Sequence, residues 1–196
     1  MHPNALFRRD EREALLAFAA ATGFAHIFAG TPEGPMVVHA PVTRAGDALA
    51  FHVSRANRIT PHLDGARVLI SISAAQGYIS PSWYADTHNQ VPTWNYVAVE
   101  VEGVARPLDD AALTAQLDAL AAMWEPLVNP AQPWTAAKMD DALLATMRRG
   151  ILGFAIEVEA IRGTTKLSQN KSAVDREGIV AGLLASGNHA LAEAMR

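Results

Sequence analysis

The sequence predicts an α+β fold, mainly β. An antiparallel sheet or barrel carries a helical insert and C-terminal helices. Three observations point there. Short β-rich runs separated by Gly/Pro turns fill the first half of the chain. Two later segments alternate apolar with acidic residues, as half-buried strands do. Between those two, and again at the C-terminus, caps and apolar stripes at helical spacing replace the alternation.

In chain order, a helix comes first. Asp10 is its expected cap, with Glu13 as capping-box partner, an apolar face at Leu15, Leu16 and Phe18, and Gly23 as the stop. Strands are expected at Phe24 to Ala29, Met36 to Ala40 and Leu49 to Val53, parted by Gly30 to Gly34 and Arg44 to Asp47. Val68 to Ser73 and Gly77 to Ser80 read as two further strands joined tightly through Ala74-Ala75-Gln76. Residues 81–95 break the pattern. Two tryptophans in one long loop point to a functional segment, with an ordinary surface excursion as the alternative.

Tyr96 to Gly103 alternates Val97, Val99 and Val101 with Glu100 and Glu102. Phe154 to Ile161 alternates in the same way, and the two are expected to share a sheet. The insert, about 109–148, begins at a cap on Asp109 or Asp110. Leu113, Leu117, Leu120 and Trp124 form one stripe, and Pro126 is the expected end. A second helix is expected from about Thr135 to Arg148. C-terminal helices are expected over about 172–195, with Ser172 and Asp175 at capping-box spacing and Asn188 capping the last. No boundary divides residues 1–196 into two independent domains.

Composition narrows the function classes. The chain has 196 residues, 50% of them hydrophobic, and only 18% are charged. That pairing suggests a large core or a surface buried in an oligomer, and the second is favoured. A net charge of −4 argues against direct nucleic-acid binding, so Arg8–Arg9 and Arg148–Arg149 read as solvated helix ends. With no cysteine, disulfides, thiolate catalysis and thiolate-held metals are excluded. The seven histidines show no ligand spacing, and no metal is expected. Neither a signal-like apolar segment nor a membrane-length apolar run occurs, so a cytoplasmic protein is expected.

Nucleotide-loop and nucleophile-elbow motifs are absent. Four segments carry chemistry instead. His52-Val53-Ser54-Arg55-Ala56-Asn57 delivers a hydroxyl, a guanidinium and an amide at a strand end, the donor set a phosphate dianion needs; a merely polar strand end looks similar. Tyr78-Ile79-Ser80-Pro81-Ser82-Trp83-Tyr84 and Val91-Pro92-Thr93-Trp94-Asn95-Tyr96 could cover a flat ring or close the barrel mouth as an aromatic minicore. Lys166-Leu167-Ser168-Gln169-Asn170 is either a ligand-facing loop or, more simply, a linker before the Ser172 cap.

In this order the four segments resemble the PaiB-type FMN-binding family of negative transcriptional regulators. The likeness runs from His39-Ala40-Pro41 to the C-terminal helix. It implies a split β-barrel related to the pyridoxamine-phosphate-oxidase fold, acting as a homodimer with two FMN sites at the subunit interface. His52, Ser54, Arg55 and Asn57 would then hold the phosphate and ribityl chain. His39 would lie on the strand beneath the flavin ring, and Tyr78 belongs to the aromatic motifs around it. Trp94, Asn95 and the loop bearing Lys166, Ser168, Gln169 and Asn170 would close the site from the partner. The chain departs from the pattern at His26, where a small or hydroxylated residue is expected, and in its short loop with Asp86, His88 and Asn89.

Four functions are compatible. One is a flavin-binding regulator, for which the chain offers no basic recognition helix. The second is an FMN-dependent oxidoreductase or flavin reductase. It has no evident catalytic acid or base; His88, Tyr84 and Lys166 are candidates only. The third is a haem-handling protein, which would need His26, His39 or His88 freely presented. The last is a cofactor-free dimer with a structural aromatic loop.

Overall fold

The computed structural model describes residues 2–196. Eight strands form one antiparallel sheet: β1 (Arg8–Arg9), β2 (Phe24–Thr31), β3 (Gly34–Ala45), β4 (Ala48–Ser54), β5 (Arg67–Ile79), β6 (Thr93–Pro107), β7 (Ile151–Glu157) and β8 (Ala160–Lys166). Their order is β1-β8-β6-β5-β2-β3-β4-β7, and an additional β6–β7 pairing closes a six-strand circuit. β6 is the strand that splits. Tyr96 to Glu102 pair with β8, while Ala105 to Pro107 pair with β7 on the same edge. The chain crosses from β7 to β8 beside Gly103, where a Cβ would run into the Glu157 carbonyl. This is the split antiparallel barrel that the resemblance implied.

The five helices are α1 (Arg12–Thr22), α2 (Asp110–Val128), α3 (Asp141–Arg148), α4 (Ala173–Ala185) and α5 (His189–Ala194). The barrel core takes alternate residues of each strand, among them Ile27, Val38, Phe51, Ile70, Val101 and Ile156, with Phe51 and Phe154 stacked at 5.7 Å. Leu15, Leu16 and Ala19 of α1 plug one end. A second core lies beyond a bulge in β5. There Ile79, Tyr84 and Leu167 pack under Ile179, Leu183, Leu191 and Met195 of the C-terminal helices.

Several local expectations are corrected. Asp10 does not cap α1; Glu11 stands at that position without a side-chain bond, and Glu13 is drawn away to Arg44, 2.7 Å from each carboxylate oxygen. Gly23 does end the helix, in the left-handed conformation at φ 68°. The two runs around Ala74-Ala75-Gln76 are one strand, not a hairpin, because the break is a bulge between Ser73 and Gln76 that re-aims the side chains. Phe154 to Ile161 divides between β7 and β8 at the crossing. Pro126 does not end α2, which runs on to Val128. The second insert helix is shorter than expected, with a 3-10 turn at Ala136–Lys138 ahead of α3. Asp109, Ser172 and Asn188 cap their helices as expected.

Candidate functional site

β4 ends at Ser54, where the chain turns tightly. The Ser54 carbonyl accepts from Asn57 N (3.0 Å) and Thr60 Oγ1 (2.8 Å), and its hydroxyl accepts from Ala56 N at 3.3 Å. Asn57 Oδ1 accepts from Ile59 N at 3.1 Å, so its carboxamide oxygen is used within the turn. Pairing of β3 with β4 stops at Val42–Phe51. Continued along the same register, His39 would stand opposite Ser54. The β3–β4 ladder ends before that point, and β3 pairs with β2 from Gly34 to Pro41.

Arg55 turns the other way, towards β7. Its backbone N–H donates to the Gly150 carbonyl at 2.9 Å and its Nε to the Arg149 carbonyl at 3.0 Å. With Arg148 and Arg149 it lines a cavity of about 290 Å³ between the β4 end, β7 and α3. Arg148 and Arg149 do stand at the end of α3, with Arg149 exposed, as expected, whereas Arg8–Arg9 form β1 and not a helix end. Sequence reading did not bring them next to Arg55, because the strand it expected began at Phe154 whereas β7 begins at Ile151. His52, half-buried under α2, has its Nδ1 2.9 Å from Gln116 Oε1. With an oxygen facing it, Nδ1 must be the donor. An apolar cavity of about 350 Å³ between α2 and α3 shares Arg148 and Ile151 with the arginine cavity.

Tyr78 and Trp94 pair across β5 and β6, both 50% exposed, with rings edge-to-face at 6.4 Å. Trp94 Nε1 donates to Gln76 Oε1 at 3.2 Å. On the outer face of β2 and β3, His26 and His39 stand opposite one another with rings 4.7 Å apart. Phe24 and Phe28 flank them, 51% and 40% exposed. This face of the sheet thus carries exposed aromatic surface.

Trp94 and Asn95, adjacent in sequence, point to opposite faces. Asn95 is fully buried; its Nδ2 donates to Ser168 Oγ at 2.9 Å, and its Oδ1 has no partner. Ser168 is held in the left-handed region at φ 57°. Lys166 donates to Thr93 Oγ1. Gln169 is spent on its own loop, accepting from Leu167 N and donating to the Thr165 carbonyl. Asn170 stands at the rim. Asn95, Lys166, Ser168 and Asn170 line a third cavity of about 330 Å³ with Tyr84, Gln90 and Lys171. Tyr84 hydroxyl is buried without a partner, and Lys171 lies 4.3 Å over its ring. Burial, then the nearby Asp175 charge, pushes the Tyr84 pKa up, so its hydroxyl stays protonated. Trp83 lies against Gly178 and Gly182 of α4, so this tryptophan is structural. His88 is exposed in the loop before β6.

Within one chain, Arg55 of the strand end and the β6–β8 group (Asn95, Lys166, Ser168, Asn170) line separate cavities. A sequence profile of the family described as "Putative FMN-binding domain" matches residues 1–160. The chain belongs to this family. FMN is its cofactor, and the residues present suit that group. They comprise guanidinium and hydroxyl donors for a phosphate, and a buried unpartnered carboxamide oxygen and hydroxyl for a polar ring edge or ribityl chain.

Among curated relatives, the chain is 35% identical over 113 residues to the Bacillus subtilis protease synthase and sporulation protein PAI 2. That match covers 58% of this chain and 53% of the relative. An uncharacterised Aspergillus fumigatus protein is 27% identical over 171 residues, covering 78% of this chain and 66% of that one. The chain thus spans about half to two-thirds of the length of these relatives. Among solved structures, the flavocytochrome Anf3 of Azotobacter vinelandii aligns with TM-score 0.62 at 18% identity, over 85% of this chain and 72% of that one. An FAD- and haem-binding protein of Mycobacterium smegmatis aligns with TM-score 0.59 at 18% identity, over 89% and 80%. These neighbours share the fold. No helix of the described residues is long and apolar enough to cross a membrane.

Proposed function

We propose that residues 1–196 form one FMN-binding unit working as a cytoplasmic homodimer, with each flavin held between two copies. The observation that carries this is the division of the candidate residues. Arg55 of the strand end and the β6–β8 cluster line separate cavities within one chain, while Phe24, Phe28, Tyr78 and Trp94 leave apolar surface exposed on the outer sheet face. Packing a second copy on that face removes apolar surface from water, at roughly 25 cal/mol per Å², and brings a second set of donors to each site.

In this arrangement Ser54, Arg55 and Asn57 hold the phosphate and ribityl end, with His52 anchoring their strand to α2. His39 lies under the ring. Tyr78 and Trp94 cover it, and Asn95 and the Lys166–Asn170 loop come from the partner. Gln169 acts by shaping that loop. The bound flavin supplies redox chemistry; the protein binds it, orients it and excludes water.

The Bacillus relative's name links that protein to protease synthesis and sporulation. A similar regulatory role is proposed here, exerted through the flavin rather than by direct DNA contact, since net charge −4 disfavours a phosphate backbone. Sedimentation and FMN titration test the assembly. A dimer that binds one FMN per chain is expected. A monomer that binds FMN with full affinity would sink the shared site. Retardation of DNA in a low-salt gel shift would overturn the indirect role.

A further inference from the structure

The arginine cavity holds more positive charge than the strand end alone explains. Arg55 comes from the turn after β4, and Arg148 and Arg149 from the last turn of α3 and its end. The one carboxylate lining the same cavity is Asp110. None of the three guanidiniums forms an ion pair among the described residues. Their bonds go to neutral acceptors: Arg55 Nε to the Arg149 carbonyl, Arg148 Nη2 to the Asp110 carbonyl at 3.3 Å, and Arg149 Nη2 to Thr146 Oγ1 at 2.8 Å. Both Nη atoms of Arg55 remain unengaged. Arg148 Nε is buried with no partner at all. A buried guanidinium N–H without an acceptor is costly, and a nearby anion relieves that cost.

The anchoring is also rigid. Arg55 N and Nε donate to the consecutive carbonyls of Gly150 and Arg149 respectively, which ties the turn after β4 to the end of α3. The carbonyl end of α3, ordinarily unfavourable to anions, has its Arg149 carbonyl already answered by Arg55.

We infer that Arg148 and Arg149, from the helical insert, join Arg55 in a site for a phosphate monoester dianion, which on the reading above is the phosphate of FMN. Guanidinium forks suit a phosphate's geometry, and three of them exceed its charge before Asp110 is counted. The insert is thereby part of cofactor binding and not only a cover for the barrel.

The test compares FMN, riboflavin and inorganic phosphate as probes, read by Trp and flavin fluorescence, on the full chain and on Arg55→Ala, Arg148→Gln and Arg149→Gln. Riboflavin presents the same ring without the phosphate. Arg148→Gln and Arg149→Gln are each expected to weaken FMN roughly ten- to hundredfold while leaving riboflavin within about twofold. Inorganic phosphate should compete with FMN on the wild type and much less on the variants. If phosphate binding falls but FMN is untouched, the site stands and its phosphate belongs to a second ligand. If neither falls, the inference is overturned. In that event a loss of FMN in Arg55→Ala alone would leave the β4 strand end as the phosphate site. Equal behaviour of FMN and riboflavin in all three variants would overturn that site as well. Arg149 is exposed, so its variant keeps the test open should Arg148→Gln fail to fold.

Discussion

Gln116 Oε1 lies 2.9 Å from His52 Nδ1, fastening the middle of β4 to the helix that follows β6. Gln116 is only 4% exposed, and its Nε2 has no partner. Gln116→Ala should therefore destabilise the fold by about 1–3 kcal/mol, the scale of a lost buried hydrogen bond with some loss of packing. Urea unfolding measures it. No change in midpoint would mean that α2 is held on the barrel by Leu113 and its neighbours alone.

Placing a charge on the bare sheet face separates two roles for it. Phe28→Glu should convert the dimer to monomer by sedimentation and weaken FMN binding at the same time, because half of each site is lost. A variant that remains dimeric would put the subunit interface elsewhere on the molecule.

Trp94 is expected to report on the flavin. Of the aromatic-loop tryptophans, Trp83 is partly buried against α4, whereas Trp94 is half exposed beside Tyr78. Trp94→Phe should abolish most of the FMN-dependent quenching of tryptophan fluorescence and leave the unfolding free energy within about 0.5 kcal/mol, as for a surface exchange. Undiminished quenching would place the ring away from this pair.

Asp175 gives the protein an acid-side dependence. Its carboxylate accepts from Ala85 N at 3.0 Å and is bonded by the Ser172 hydroxyl at 2.9 Å, which holds its pKa below the ordinary value. A depressed carboxylate stabilises the fold above its unfolded pKa, and that contribution is lost as pH falls through the lower folded value. Glu13, depressed by its bond to Arg44, acts with the same sign elsewhere. The difference between wild type and Asp175→Asn isolates the first group. Stability of the variant should fall less steeply with acid, and superimposable pH curves would refute the assignment.

Gly103→Ala should destabilise by about 1–3 kcal/mol, since the new methyl meets backbone, which cannot step aside. Thermal unfolding would detect it. A neutral result would mean that the β7–β8 crossing shifts freely.

Strand alternation and turn residues made most of the barrel legible, because a half-buried strand writes its register as period-two sequence. Val97 to Gly103 was plain for that reason. The bulge at Ser73–Gln76 was not, since one displaced residue looks like a turn when read locally. Helix ends failed where a tertiary partner outbid the cap, as Arg44 does for Glu13. At the site, the Ser54–Asn57 strand end could be found as a donor cluster. The adjacency of Arg148 to Arg55 could not, because 93 residues separate them and only the β4–β7 pairing brings them together. Gln169 looked available for a ligand, yet both ends of its amide are consumed within the loop.

Three residue pairs, Ala105 to Pro107 against Phe154 to Ile156, make up the β6–β7 ladder, with one further bond from Leu108 N–H to the Gly153 carbonyl, whereas β5 and β6 share a ladder running from Arg67 to Ile79. A cylinder so unevenly sewn has a preferred tear line. Local opening should begin along that short seam, next to the insert and its arginines, and amide exchange there should outpace exchange in the long ladder. Whatever grips the end of β4 from the insert side then acts as a clasp across the seam.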